Sequence, residues 1–420
     1  MNGKWNGKLQ SVGGGGYAGS TTVPTDAILS GYVGVSTDTG HTGNDGSFGM
    51  LAPGRPNTAL QIDFAYRSEH LMSVIGRQLI QAFYGKPPAY AYWNGCSTGG
   101  RQGLMMAQRF PEDYNGILAG APAIHWDRFQ AAQIWPQVVM LRDNAGVISS
   151  EKLALATNAA VNACDAADGV ADKVIDDPRA CRFNARTLRC QNGSQGGSCL
   201  TESEASAINK MWEGPVVGGT RLWWGPRPGA ALSSLAGQTP FLIAVAQPRY
   251  WVYYDQAWDW KMLDYSNYKE FFDLTVKRVG PVIATDDPDL SRFKSHGGKL
   301  ILWHGWADPL IMPDGSIDYY DAVTRKMGGG YAQTQTFVRL FMAPGVAHCR
   351  GGDGPMPQGL FDAVVNWVEH SEAPSTIMAS RPLPGGTTRR RPLCPYPQVA
   401  VWKGSGSTDD AANFVCKGSP

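Results

Sequence analysis

No stretch of this chain approaches the ~20 continuous apolar residues that a membrane-spanning helix needs, so the sequence gives no reason to expect a membrane partner. Charge of one sign is missing too: 37 basic and 36 acidic residues give a formal net charge of +1. The longest basic run, Arg389-Arg390-Arg391, sits between Gly/Thr and Pro and reads as a solvated loop. Without a basic face, nucleic acid is not an expected partner. There is no C-x-x-C and no Cys/His cluster with zinc spacing, which argues against metal ligation by thiolate. The tetraglycine Gly13 to Gly16 is not followed by G-K-[ST], so it is no phosphate loop. The first residues, Met1-Asn2-Gly3-Lys4-Trp5, are polar and form no secretory signal.

What is present fits a globular protein. At 420 residues the chain has room for two or three domains, or one large core with an insertion. Eight cysteines point to an oxidising compartment, secreted or periplasmic. Three consecutive pairs are close in sequence: Cys164/Cys181, Cys190/Cys199 and Cys394/Cys416. Local pairing would leave Cys96 and Cys349 for each other, but roughly 100 pairings are possible and the sequence does not choose among them.

Gly95-Cys96-Ser97-Thr98-Gly99 is a G-x-S-x-G pentapeptide. Alone it is weak in a chain with 51 glycines. Its context strengthens it. Pro88 to Trp93 reads as a buried strand, and Gly100 to Arg109 reads as a helix that stops before Pro111. A sharp strand-to-helix turn strains the serine and exposes its Oγ above a sheet. Such a turn leaves no room for a Cβ two residues to either side.

Strand-like runs (Lys8–Val12, Tyr32–Ser36, Gly116–Ala119) alternate with helix-like ones, which argues for a mainly parallel α/β sheet. A helix is expected over Ser68 to Phe83, with Leu71, Val74, Ile75, Gln78, Leu79 and Ala82 at helical spacing. From 123 to 296 the chain turns irregular and aromatic, with Trp223, Trp224, Tyr250, Trp251, Tyr253, Tyr254, Trp258 and Trp260. This reads as an inserted lid domain, leaving 1–122 and 297–420 as the catalytic core. The sheet pattern resumes with a strand at Lys299–Trp303, a helix over Ser316–Met327, a strand at Thr336–Phe341 and a helix over Leu360–His370. The tail from Pro382 reads as loop. No internal repeat is present.

A serine hydroxyl needs a base within reach, and the base needs an orienting acid. On an α/β-hydrolase sheet these follow in the order Ser, Asp or Glu, His, each on a loop after a strand. Asp308 follows the strand at Lys299–Trp303, and His348 follows the one at Thr336–Phe341, so Ser97, Asp308 and His348 are the candidate triad. Seven histidines offer alternatives. His304 is the strongest competitor for the base, and Asp314 competes for the acid, although Pro313 before it suggests a helix N-cap. A Cys96–Cys349 bond would join the two catalytic loops, since each cysteine adjoins a triad member. Thr98 N–H, after the nucleophile, and the glycines around Gly14 and Gly15 are the expected oxyanion donors.

Cys96-Ser97, Asp308 and His348-Cys349 form a CS–D–HC pattern. Further matching stretches are Trp5 to Leu9, Ser36 to His41, Arg109 to Gly116 and Gly305 to Asp308. On these residues the chain resembles the tannase and feruloyl esterase family over nearly its whole length. The resemblance implies an α/β-hydrolase core, a lid inserted after the serine helix, and a disulfide between the catalytic loops. It implies hydrolysis of small aromatic esters, with feruloyl esterase first, then tannase or terephthalate monoester hydrolase. The loop Cys164 to Val174 crowds three carboxylates into a short span, as hard calcium prefers, but lacks the EF-hand pattern. The resemblance assigns it a structural Ca2+, held by the Asp165, Asp168 and Asp172 side chains and the Val170 and Val174 carbonyls, with no organic cofactor. A serine peptidase and a non-catalytic calcium-dependent binding module are the readings from other classes.

Overall fold

The computed structural model describes residues 5–191 and 196–418. Met1 to Lys4, read above as polar and free of a secretory signal, lie outside them. Six strands form one parallel sheet: β1 (Lys8–Val12), β2 (Val33–Val35), β3 (Tyr90–Cys96), β4 (Gly116–Gly120), β5 (Lys299–Gly305) and β6 (Val338–Ala343). Their order across the sheet is β6-β5-β4-β3-β1-β2, and every pairing is parallel. Buried on both faces, the central strands read as short apolar runs rather than alternating ones. β4, for example, is Gly-Ile-Leu-Ala-Gly and is buried throughout.

Helices cover both faces. Leu360–His370 forms as expected and packs Val364 and Trp367 against one face. The helix Ser68–Tyr84 also forms, but with its faces reversed from the sequence reading. Leu71, Ile75 and Leu79 are exposed, while Glu69, Met72, Ser73, Gly76 and Ile80 are buried. The buried face is the one with small residues: a Cβ on Gly76 would already touch Val35 and Leu9. Close approach to β1 and β2 decides the orientation against the simple apolar count.

Between β4 and β5 the chain leaves the sheet and builds a largely helical layer. Its main helices are Trp126–Gln133, Trp135–Asp143, Ser150–Cys164, Glu202–Glu213 and Tyr268–Ile283. The Glu202–Glu213 helix starts with a capping box, Thr201 and Glu204 exchanging side-chain and backbone bonds. The aromatics of this segment pack into the largest apolar cluster, which also takes in Tyr17, Phe64, Ala65, Ile311 and Met312 from the sheet side. Trp251 stacks on Tyr17 at 6.0 Å and meets Phe64 at 5.9 Å. None of the described helices is long and apolar enough to cross a membrane.

The tail differs from its reading as loop. Ile377–Pro382 pairs antiparallel with Thr388–Leu393, and Gln398–Trp402 pairs with Phe414–Gly418. The arginine run lies in the second of these strands, not in a solvated loop. Arg391 is buried, with Nη2 2.6 Å from Asp172 Oδ2, and Arg389 donates to Asp409. Local sequence could not show this, because the Asp172 carboxylate that buries Arg391 comes from a loop 219 residues away.

All eight cysteines are paired: Cys96–Cys349, Cys164–Cys181, Cys190–Cys199 and Cys394–Cys416. The first spans 253 residues and the third only 9. A cross-link constrains the unfolded chain more as the loop it closes lengthens. Replacing Cys96 and Cys349 together by serine should therefore cost roughly 2–5 kcal/mol of stability, and more than the same change at Cys190 and Cys199. Urea unfolding of the two double variants checks the order.

Candidate active site

β3 ends at Cys96, and the helix Thr98–Arg109 begins two residues later. Ser97 absorbs the reversal with φ 63 and ψ −124, a conformation that side chains rarely adopt. The turn is packed as the pentapeptide requires. A Cβ on Gly95 would lie 2.5 Å from the Gly99 carbonyl carbon, and one on Gly99 would lie 3.0 Å from the Gly14 oxygen. Ser97 N–H donates to Gly120 O on β4 at 2.9 Å, which fixes the turn to the sheet.

Asp308 lies three residues beyond β5, and His348 lies five beyond β6. All three candidates therefore lie at the carboxyl ends of strands of one sheet, β5 and β6 side by side and β3 beyond β4, where open parallel sheets bind ligands. His348 Nδ1–H donates to Asp308 Oδ2 at 2.7 Å. The carboxylate can only accept, so the proton sits on Nδ1 and Nε2 is left as the basic nitrogen. Asp308 Oδ1 accepts from the Leu310 and Ile311 amides at 2.8 and 3.0 Å. Ser97 and His348 line one cavity of about 600 Å³, together with Gly13 to Gly16, Trp126, Phe129 and Phe241.

His304, the competitor for the base, serves the acid instead. It is fully buried, and its Nε2–H is shared between Asp308 Oδ2 at 3.0 Å and Ile311 O at 3.1 Å. Ser316 Oγ holds its Nδ1 at 2.8 Å. The four-residue spacing to Asp308 was the available signal, but it does not say which partner a histidine serves. Asp314 is not at the site: it is the first residue of the helix Asp314–Met327 and pairs with Arg227, Nε at 2.8 Å.

The loop Gly13–Gly16 stands against the start of the serine helix, as the oxyanion reading requires. Gly14 needs correction as a donor, because its N–H already donates to Gln102 Oε1 at 2.9 Å. That leaves Thr98 and Gly15 of the three expected residues. Gln102 Nε2 in turn donates to the buried Glu69 at 2.6 Å, and Thr98 Oγ1 donates to Gly16 O at 2.6 Å. The sequence reading missed Gln102, whose position on the serine helix was its only signal. Nor do the eight aromatics singled out in the insertion wall the cavity. They sit in or against the apolar cluster or face elsewhere, and Trp126, Phe129 and Phe241 take that place.

A strained serine and a histidine held by a buried aspartate around one cavity form the constellation of a serine hydrolase. The family model described as "Tannase and feruloyl esterase" matches residues 1–417. The chain is 38% identical over 438 positions to a probable feruloyl esterase of Arthroderma benhamiae, covering 98% of this chain and 80% of the relative. It belongs to the tannase and feruloyl esterase family. It is 32% identical to the mono(2-hydroxyethyl) terephthalate hydrolase of Piscinibacter sakaiensis, covering 100% of this chain and 81% of that one. Among solved structures it is similar to feruloyl esterase B from Aspergillus oryzae, with a TM-score of 0.90, 30% identity and coverage of 99% and 85%. Tannin acyl hydrolase from Aspergillus niger superposes with a TM-score of 0.85 at 25% identity, covering 99% and 81%. The family is one of carboxylic ester hydrolases, and so is this protein.

The electrostatics of this family site suit proton transfer. Burial alone would push the Asp308 carboxyl up. The His348 charge and the hydrogen bonds from His304 and His348 outweigh burial and hold it well below the usual carboxylate range. Burial alone would push His348 down, but the charge and hydrogen bond of Asp308 raise it above the ordinary imidazole value.

The acidic loop Cys164–Val174 is folded on itself. Asp165 Oδ1 accepts from the Asp172 and Val174 amides at 2.9 and 3.2 Å, and Asp168 Oδ1 accepts from the Val170 amide at 2.8 Å. Asp172 Oδ2 lies 2.6 Å from Arg391 and 3.2 Å from Arg389. Among the described residues no three His, Cys, Asp or Glu side chains converge as a metal-binding group. The donor chemistry still fits a hard cation. Asp165, Asp168 and Asp172 supply the carboxylate oxygens such an ion takes, with Asp172 already paired to Arg389 and Arg391. Burial, followed by the like charges of its neighbours, pushes Asp168 up to about 6.

His348 is a base only when neutral. Activity should therefore fall as pH drops through a value above the ordinary ~6.5. Asp308→Asn removes both causes of the rise, so the acid limb of kcat/KM should move to lower pH while kcat drops about 10³–10⁴-fold. A pH–rate profile of the two proteins reads both effects.

Proposed function

We propose that the protein is a serine esterase acting on esters of aromatic acids, with feruloyl esters the first choice. Ser97 Oγ attacks the ester carbonyl, and His348 Nε2 takes its proton. Asp308 keeps the imidazole in the Nδ1–H tautomer and stabilises the imidazolium. The Thr98 and Gly15 amides receive the developing oxyanion. His348 then returns the proton to the leaving alcohol as the carbonyl–alkoxy bond breaks, leaving the acyl group on Ser97. Water, deprotonated by His348, cleaves that bond and releases the acid and Ser97. The observation that carries this reading is the Asp308–His348 bond beside a strained serine in an aromatic-walled cavity. Galloyl and terephthalate monoesters are the alternative substrates, named for relatives of the same family. The four disulfides support a secreted or periplasmic setting.

Purified protein should hydrolyse methyl ferulate, methyl gallate or a terephthalate monoester, and Ser97→Ala should reduce kcat by at least about 10³-fold. Unchanged turnover in that variant would remove Ser97 from the mechanism. Faster cleavage of a matched aryl amide than of the aryl ester would make the protein a peptidase.

We also propose that the loop Cys164–Val174 takes a structural Ca2+, through Asp165, Asp168 and Asp172 and the carbonyls of Val170 and Val174. The ion would supply charge balance and rigidity, not chemistry at the ester. Chelation should lower Tm by a few degrees, calcium should restore it, and Asp168→Asn should abolish that response. A Tm indifferent to chelator and to added calcium would refute the assignment.

A further inference from the structure

The glycine loop beside Ser97 is held from both ends. Gly13 N–H donates to Asn94 O at 3.0 Å, Gly14 N–H to Gln102 Oε1 at 2.9 Å, and Tyr17 N–H to Asn44 Oδ1 at 2.5 Å. Among the described residues nothing takes the amides of Gly15 and Gly16, which lie between the held ones and line the cavity. Glycine has no Cβ to restrict such a loop, so these bonds decide where its free amides point.

The bond next to Gly15 has a chemically fixed sense. The Gly14 N–H can only donate, so Gln102 turns Oε1 to it and Nε2 away. Nε2 then donates to Glu69 Oε1, on the helix Ser68–Tyr84, at 2.6 Å. Without an acceptor there, the Gln102 amide could rotate and set its own N–H groups against that of Gly14. Burial, against the pull of the Arg101 charge, pushes the Glu69 carboxyl up to about 7. A proton would sit on Oε2, so Oε1 accepts from Gln102 in either state. Glu69 and Gln102 are 0% and 1% exposed. Arg101 Nη2 lies 3.9 Å from Glu69, but its hydrogen bonds go to the carbonyls of Phe64 and Ala65 at 2.9 and 2.8 Å. Glu69 Oε2 has no hydrogen-bond partner among the described residues. A buried carboxylate placed in this way adds little stability. What it does is orient Gln102.

We propose that Glu69 and Gln102 are positioning residues for the ester hydrolysis: the chain Glu69–Gln102–Gly14 sets the glycine loop so that the Gly15 amide meets the oxyanion as it forms. Neither side chain lines the cavity, so both act through the loop. The assignment rests on the reading of Ser97 as the esterase nucleophile. An amide aimed at the oxyanion favours the tetrahedral state over the planar ester, so the pair should influence kcat far more than KM.

The test compares an arylboronic acid, which forms a tetrahedral adduct on a serine Oγ, with the matching aryl carboxylic acid, which stays planar. The readout is the ratio of their inhibition constants, which does not depend on how much of a variant is folded; kcat and KM on methyl ferulate accompany it. Gln102→Met should weaken the boronate and lower kcat by about 10–100-fold, with KM and the carboxylic acid within about threefold of wild type. Glu69→Met should lose about as much, and the double variant no more than Gln102→Met alone, because Glu69 acts through Gln102. Glu69→Gln keeps an acceptor oxygen for Gln102 and should recover most of the loss. Unchanged boronate binding in Gln102→Met, equal weakening of boronate and carboxylic acid, or losses that add in the double variant would overturn the proposal while the esterase reading stands. Boronate binding that survives Ser97→Ala, or no ester turnover by wild type, would overturn the esterase reading, and the proposal with it.

Discussion

Asp308 is where the structure concentrates its hydrogen bonds. Two backbone amides hold one carboxylate oxygen, and His304 and His348 share the other. A fully buried carboxylate is costly unless it is satisfied in this way. Satisfied, it fixes the tautomer and direction of His348, and with them the basic nitrogen that faces the cavity. Much of the surrounding fold serves that arrangement. β5 and β6 lie side by side, so the loops after them meet. Cys96 and Cys349 then tie the serine turn to the histidine loop across 253 residues, with Cα atoms 6.0 Å apart.

The inserted helical layer is more than a cover. Its largest apolar cluster runs into Tyr17 and Phe64 of the sheet side and ends beside the cavity at Trp126 and Phe129. The acidic loop joins the same assembly from another direction. Asp172 binds Arg389 and Arg391 on the tail strand Thr388–Leu393, connecting the insertion to the last part of the chain. The helical layer therefore shares aromatic contacts with the sheet side and buried ion pairs with the tail, so displacing it costs contacts in both.

Short-range rules carried much of the reading. Gly95 and Gly99 announced a turn without room for side chains, and the alternation of strands with helices announced a parallel sheet. Strand ends then placed Asp308 and His348 on neighbouring loops. Long-range pairing was the part that stayed hidden. Arg391 looked solvated because its partner, Asp172, lies 219 residues away. His304 looked like a base because sequence shows residue type but not which carboxylate it meets. Leu71, Ile75 and Leu79 looked like a core face, yet Gly76 and Ser73 take the sheet because backbone approach outweighs apolar area there. The cavity walls were not legible either: the densest aromatic run of the insertion packs on itself, and three other rings of the same segment, Trp126, Phe129 and Phe241, line the site.

The central claim is that Ser97 is the nucleophile activated by the Asp308–His348 pair. Its most direct test is labelling with an aryl fluorophosphonate, followed by peptide mass spectrometry of wild type and Asp308→Asn. The account predicts a single adduct on the peptide containing Ser97 in wild type, with labelling slowed by orders of magnitude in the variant. An adduct on another residue, or labelling of Ser97 at the same rate without the aspartate, would contradict it.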